Sequence, residues 1–96
     1  MRRSKLEIYL DILDILSIKG PLKLTHIMYK SNVNCSVLKE QLDFLIKNNL
    51  VEERMLAKER IVYAISQRGL NVLKAFREVK KVLQLEEEKH IPQLLF

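Results

Sequence analysis

Apolar positions recur along this chain with a helical period, then an alternating one, then a helical one again. Leu6, Tyr9, Leu10, Leu13 and Leu16 fall three and four apart, and Ile8, Ile12 and Ile15 widen that stripe into a broad face. Glu7, Asp11, Asp14 and Ile18 mark the narrow opposite ridge. A helix so apolar is expected to lie centrally or against a second chain. Ser4 followed by Glu7 is a capping box, in which the serine oxygen takes a free amide and the glutamate reaches back, so this helix should begin near Lys5. Gly20 and Pro21 should end it, the glycine as a left-handed cap and the proline as a stop.

A short second helix, about Leu22 to Lys30, has Leu24, Ile27 and Met28 as its inner side. Ser31, Asn32 and Val33 make a tight corner. Asn34 is a good N-cap for a third helix to about Asn48, with Val37, Leu38, Leu42, Leu45 and Ile46 facing inward and Asn48 and Asn49 closing it. The pattern then changes. Val51 to Leu56 and Ile61 to Ile65 are β-rich, and Ile61, Tyr63 and Ile65 alternate with Val62 and Ala64 as in a half-buried strand. The joining AKER holds no Gly, Asn or Pro, so its turn type is not readable.

From Ser66 a last helix carries two sets of apolar positions. Leu70, Leu73 and Phe76 are expected to fold back onto the first helix. Val72, Phe76, Val79 and Leu83 step by four, three and four, a short heptad seam suited to a second copy of the chain. Pro92 is expected to end the helix and leave an apolar tail, QLLF.

Helix, helix, corner, helix, hairpin, helix is the order of a winged helix-turn-helix, mainly α with a small β-hairpin, an α+β class. The phrasing RSKLEI, GPLKLTHIMYKSNVN, LDFLIKNNLVE and YAISQRGLNVL, over about residues 2–83, resembles the archaeal winged-helix family that includes small dimeric chromatin proteins and ArnR-like regulators. That resemblance implies a homodimer joined through an antiparallel coiled coil of the last helices, with the third helix and the hairpin presented to DNA. The expected division is a winged-helix unit over 1–68, a dimerising helix over 66–91 belonging to the same domain, and a tail over 92–96.

Charge fits that picture unevenly. Ninety-six residues carry 17 Lys plus Arg against 12 Asp plus Glu, a net +5, which favours polyanionic partners. Yet residues 35–65 are balanced, Lys39, Lys47, Arg54, Lys58 and Arg60 meeting Glu40, Asp43, Glu52, Glu53 and Glu59. The excess lies in the first third, with Arg2, Arg3, Lys5, Lys19, Lys23 and Lys30, and in the last helix. The expected footprint on double-stranded DNA is therefore the arm Arg2 and Arg3, the corner residues Lys30, Ser31 and Asn34, the outer side of the third helix at Ser36, Lys39, Glu40 and Asp43, and the wing residues Arg54, Lys58 and Arg60. Lysine can donate to guanine and an acid can accept from a cytosine amine, while phosphate contacts set register. The wing charges would equally keep a hairpin edge from pairing with another chain.

Other chemistries have little to stand on. Cys35 is the only cysteine, so no disulfide forms within the chain and no thiolate pair holds a metal. A redox switch centred on it is the third reading after DNA binding and a protein-binding winged-helix adapter. His26 and His90 lack ligand spacing. Tyr9, Tyr29 and Tyr63 are expected as core rings with wet hydroxyls, with the alternative for Tyr29, which stands at the corner, that the second helix grazes a DNA backbone there. No phosphate loop or catalytic order occurs, and no cofactor, small-molecule ligand or membrane association is expected. Glu7, Asp11 and Asp14 interrupt the apolar start before a signal core could form, pointing to a soluble, cytoplasmic, nucleoid-associated protein.

Overall fold

A computed structural model describes residues 4–56 and 58–83 in full, and the helical course alone of 84–95. The elements are α1 (Lys5–Lys19), α2 (Leu24–Ser31), α3 (Cys35–Lys47), β1 (Val51–Leu56), β2 (Arg60–Ile65) and α4 (Gln67–Leu95). Four helices and one antiparallel hairpin are the α+β arrangement the hydrophobic pattern implies.

Local chemistry sets most boundaries. The Ser4 hydroxyl accepts from the Glu7 amide at 3.1 Å and the Glu7 carboxylate accepts from the Ser4 amide at 3.3 Å, so both halves of the capping box are formed. Gly20 ends α1 at φ 80°, ψ −162°, a mirror-extended conformation open to glycine rather than the expected left-handed helical one. Its amide still reaches back to the Leu16 carbonyl at 3.0 Å. After Pro21 the chain does not enter α2 directly. Leu22 exchanges two backbone hydrogen bonds with Tyr63, at 3.0 and 2.8 Å, and becomes a one-residue third strand beside β2. Helix α2 therefore starts two residues later than its apolar pattern implies, because the sheet has already taken Leu22's amide and carbonyl.

The core lies where α1 crosses the other elements. Ile12, Leu13, Leu16, Ile27, Leu38, Leu42, Leu45, Val51 and Leu73 form one buried cluster. Each large side chain so removed from water contributes about 1.5–3 kcal/mol against the chain entropy. Around it Tyr9 stacks on Phe44, rings 4.5 Å apart and 11° from parallel, which ties α1 to α3. On β2 the inward set is Val62 and Ala64, whereas Ile61 faces solvent. Gln41 of α3 is buried as well, and its Oε1 has no hydrogen-bond partner.

The α3–β1 connection and the start of α4 are clamped together. Asn49, at φ 60°, turns the chain out of α3. The Ser66 hydroxyl caps α4 by accepting from the Gly69 amide at 2.9 Å and donates to the Asn49 carbonyl at 2.6 Å, while the Ser66 amide donates to the Leu50 carbonyl at 3.0 Å. Gly69 is what permits this approach, since a Cβ there would sit 2.2 Å from the Leu50 carbonyl oxygen and 2.7 Å from Ile65 Cγ1. With Gly69 facing the clamp, the next residue is rotated outward. Leu70 is accordingly 39% exposed, and the fold-back onto α1 falls to Leu73 and Phe76, a correction to the expected trio. Helix α4 runs through Pro92 to Leu95, so the proline does not end it. A proline removes one amide donor and strains its own turn, which a helix can absorb as a kink.

Candidate nucleic-acid interface

The corner between α2 and α3 is built from three asparagine-rich residues, 32–34, without a glycine. Asn32 adopts the left-handed conformation (φ 56°, ψ 43°) that glycine usually supplies, and its amide closes α2 on the Met28 carbonyl at 3.0 Å. Asn34 Oδ1 then accepts from the Val37 amide at 3.0 Å and the Ser36 hydroxyl at 2.9 Å, starting α3. These local bonds fix the angle at which α3 leaves the body. Leu38, Leu42 and Leu45 anchor its inner side, and Ser36, Lys39, Glu40, Asp43 and Lys47 are left exposed.

Ser31 does not belong to that surface. It is the last residue of α2, 3% exposed, and its hydroxyl donates to the Ile27 carbonyl at 2.7 Å. A serine in the last turn of a helix can donate to the carbonyl four residues back, which draws it inward. Lys30 beside it is exposed, and so is Tyr29 at 88%, which corrects the expectation of a core ring. Val33, Met28 and Asn34 join Tyr29 around a shallow hollow at the corner. Arg2 and Arg3 lie outside the described residues.

The wing stands beside α3. Tyr63 on β2 has its phenol held above the ordinary 10.0, chiefly by burial and then by the negative charges of Glu53 on β1 and Asp43 on α3. Helix α3 and the hairpin therefore share an acidic junction. Arg54 is paired with Glu52 at 3.0 Å, both about half exposed, so little is lost if the arginine turns to a phosphate. Lys58 and Arg60 are exposed on either side of Glu59. Lys58 and Glu59 turn the hairpin at φ 57° and 61°, two left-handed residues in succession that the sequence AKER does not announce. Met55 and Leu56, unmarked by any charge or turn signal in the sequence, face solvent at 72% and 51% exposure. Their adjacency was the available signal, since neighbours on a strand point to opposite faces and this hairpin has no second layer at its tip.

A second surface lies between α1 and α4. The expected seam residues Val72 and Phe76 are half-buried, while Val79 and Leu83 are 54% and 56% exposed. Leu6 and Leu10 of α1 join Phe76, Val79 and Leu83 of α4 in an open apolar groove of about 250 Å3, rimmed by Glu7, Asp11 and Lys80. Val82, 59% exposed, extends it along α4. Below the groove an Asp14–Arg77 ion pair fastens α1 to α4. Cys35 is exposed at the start of α3. Among the described residues no three His, Cys, Asp or Glu side chains gather as a metal site, and no helix is long and apolar enough to cross a membrane.

A tight asparagine-capped corner, an exposed helix after it, and a hairpin wing at that helix's side define a winged helix-turn-helix module. The chain belongs to the winged helix-turn-helix family, whose model matches residues 2–84. No curated protein matches it. Solved structures share the fold. The transcriptional regulator BldR from Sulfolobus solfataricus is 22% identical with a TM-score of 0.75, over 93% of this chain and 67% of BldR. The homodimeric winged helix-turn-helix DNA-binding domain of Mb0332 from Mycobacterium bovis, a possible ArsR-family regulator, is 27% identical with a TM-score of 0.67, over 88% of this chain and 75% of that one. RV1404 from Mycobacterium tuberculosis is 22% identical with a TM-score of 0.69, over 83% of this chain, which spans only 58% of that chain's length.

Proposed function

We propose that this chain is a dimeric DNA-binding protein, a transcription regulator or an architectural protein of the nucleoid, of the archaeal winged-helix type that includes ArnR-like regulators and chromatin proteins. Helix α3 enters the major groove and the wing rests on the backbone. The observation that carries this reading is the corner, whose caps leave Ser36, Lys39, Glu40 and Asp43 outward on α3, next to the exposed Arg54, Lys58 and Arg60 of the wing. Lys30 and Asn34 flank the same edge. Lysines and wing cations hold phosphate, and the two acids restrict which base edges α3 accepts, a carboxylate taking a hydrogen bond from a cytosine amine. Residues 1–68 act as the DNA-binding unit and the helix over 66–91 as the dimerising element, continued through Pro92 to Leu95 rather than ending in a separate tail.

The seam of Val72, Phe76, Val79 and Leu83 pairs two copies, and the groove against α1 supports this. Val79, Val82 and Leu83, more than half exposed along α4, leave apolar surface beside that groove for a second copy to cover. The homodimeric state of the Mb0332 domain is in keeping with that reading. An adapter that binds protein through α3 or the α4 seam is the second reading, favoured by the charge balance of residues 35–65.

Two variants test the proposal. Lys39→Ala with Arg60→Ala should weaken duplex binding and leave the dimer intact; unchanged affinity would remove α3 and the wing from the interface. Phe76→Asp with Val79→Asp should give a monomer by light scattering with still weaker duplex binding, because two half-sites are no longer held together. A variant that stays dimeric would refute the seam.

A further inference from the structure

We infer that the wing tip is an apolar wedge that enters the minor groove and bends the duplex, an inference that rests on the DNA-binding reading above. A wing that only neutralises phosphate needs cations at its tip and nothing apolar. This one exposes Met55 at 72%, Leu56 at 51% and Ile61 at 38%. Met55 pairs with Ile61 across the hairpin and Leu56 pairs with Arg60. Cross-strand partners share a face and strand neighbours oppose, so Met55 and Ile61 lie on one face and Leu56 on the other.

That two-sided placement separates the possible occupants. A hairpin laid flat on a protein surface buries one face and leaves the other in water, so only one face should be apolar. A hairpin pushed between two walls benefits from apolar groups on both. Charge identifies the walls as anionic: the tip carries Lys58 and Arg60 around a single acid, Glu59, whereas Glu52 and Glu53 sit toward the base, Glu52 already paired with Arg54. Phosphate-lined walls with sugar and base edges between them are a groove of duplex DNA. With α3 in the major groove, the groove beside the wing is the minor one. Its width of about 6 Å is too small for a two-stranded ribbon with side chains on both faces, since a side-chain-bearing sheet takes up about 10 Å face to face. The tip can therefore seat Leu56 and Met55 only if base steps open, which kinks the duplex toward the major groove. Apolar side chains flanked by cations are the means by which architectural minor-groove binders do this.

Resonance energy transfer between dyes at the two ends of a short duplex reads the bend. At saturating protein in low salt the wild-type chain should shorten the end-to-end distance, by a bend of about 20–90°. Met55→Ser with Leu56→Ser changes only exposed side chains, so thermal unfolding should be unaltered while most of the bend is lost with binding retained. A minor-groove-filling polyamide added first should likewise abolish the bend. If the wild-type protein saturates the duplex and leaves it straight, or if the double variant bends it equally, the wedge is overturned and the DNA-binding reading stands. No binding in low salt would overturn both.

Discussion

Replacing Gly69 by alanine should destabilise the protein, although helix propensity alone says the reverse. Alanine in place of a helical glycine is worth at most about 1 kcal/mol in favour of the variant, and Gly69 lies in the first turn of α4. The geometry opposes it. The new methyl carbon would lie 2.2 Å from the Leu50 carbonyl oxygen, a backbone atom, and 2.7 Å from Ile65 Cγ1. Relief requires α4 to back away by about 1 Å, given ordinary contact distances of about 3.3–3.6 Å between carbon and oxygen. That movement pulls directly on the Ser66 amide bond to Leu50 and the Ser66 hydroxyl bond to Asn49. Overpacking of this kind costs about 1–3 kcal/mol, and each weakened hydrogen bond about 1 kcal/mol more. The net expectation is a loss of about 2–4 kcal/mol, read by urea unfolding at one fixed protein concentration. Ala75→Gly, at an exposed position of the same helix, is the control and should lose about 1 kcal/mol from propensity alone. Gly69→Ala as stable as wild type, or more so, would refute the clamp.

Three further outcomes follow from the same geometry. Gln41→Met should stabilise the fold by about 1 kcal/mol in thermal or urea unfolding, because a buried amide oxygen without a partner gives way to an apolar chain of similar length; a destabilised variant would show that the amide is satisfied. Glu59→Gly should gain about 0.5–1 kcal/mol by relieving a left-handed residue at φ 61°, and a loss in urea unfolding would contradict that turn. Tyr63 should release its proton above the ordinary 10.0, seen as the phenolate absorbance lost in Tyr63→Phe. Because the folded value is raised, the unfolded chain ionises first, so this contribution to stability is whole below pH 10.0 and disappears as pH rises through the folded value. A Tyr63 that titrates at or below its ordinary value would remove the acidic junction between α3 and the wing.

What the sequence disclosed and what it hid divide along the range of the interactions involved. Ser4 with Glu7, Asn34 before α3 and Gly20 after α1 act within one turn of themselves, so their residue types alone placed three helix ends. The inward positions of α3 were readable for the same reason, as a period. The remainder depended on contacts between distant segments. Leu22 left the helical pattern because Tyr63, far along the chain, needed its backbone. Gly69 looked like a weak point in a helix, and only Leu50 explains it. Tyr29 faces solvent because Ile27 and Ser31 already take the inward side of a helix two turns long. For the candidate site, exposure of Lys39, Glu40, Asp43, Lys58 and Arg60 was legible, since charge seeks water. The loss of Ser31 to its own helix was not, and neither were the apolar faces of the wing.

Binding of duplex DNA by the face that α3, the corner and the wing form is what the proposed function stands on. Fluorescence anisotropy of a labelled random-sequence duplex, titrated with the protein across a salt series, tests it most directly. Lys30, Lys39, Lys58 and Arg60 are four exposed cations on that face. The affinity should therefore fall with salt at a log-log slope of about −3 to −4 per protomer, at about −0.9 for each phosphate neutralised. Absence of binding at low salt, or binding indifferent to salt, would contradict the claim and turn the search toward a protein partner for α3.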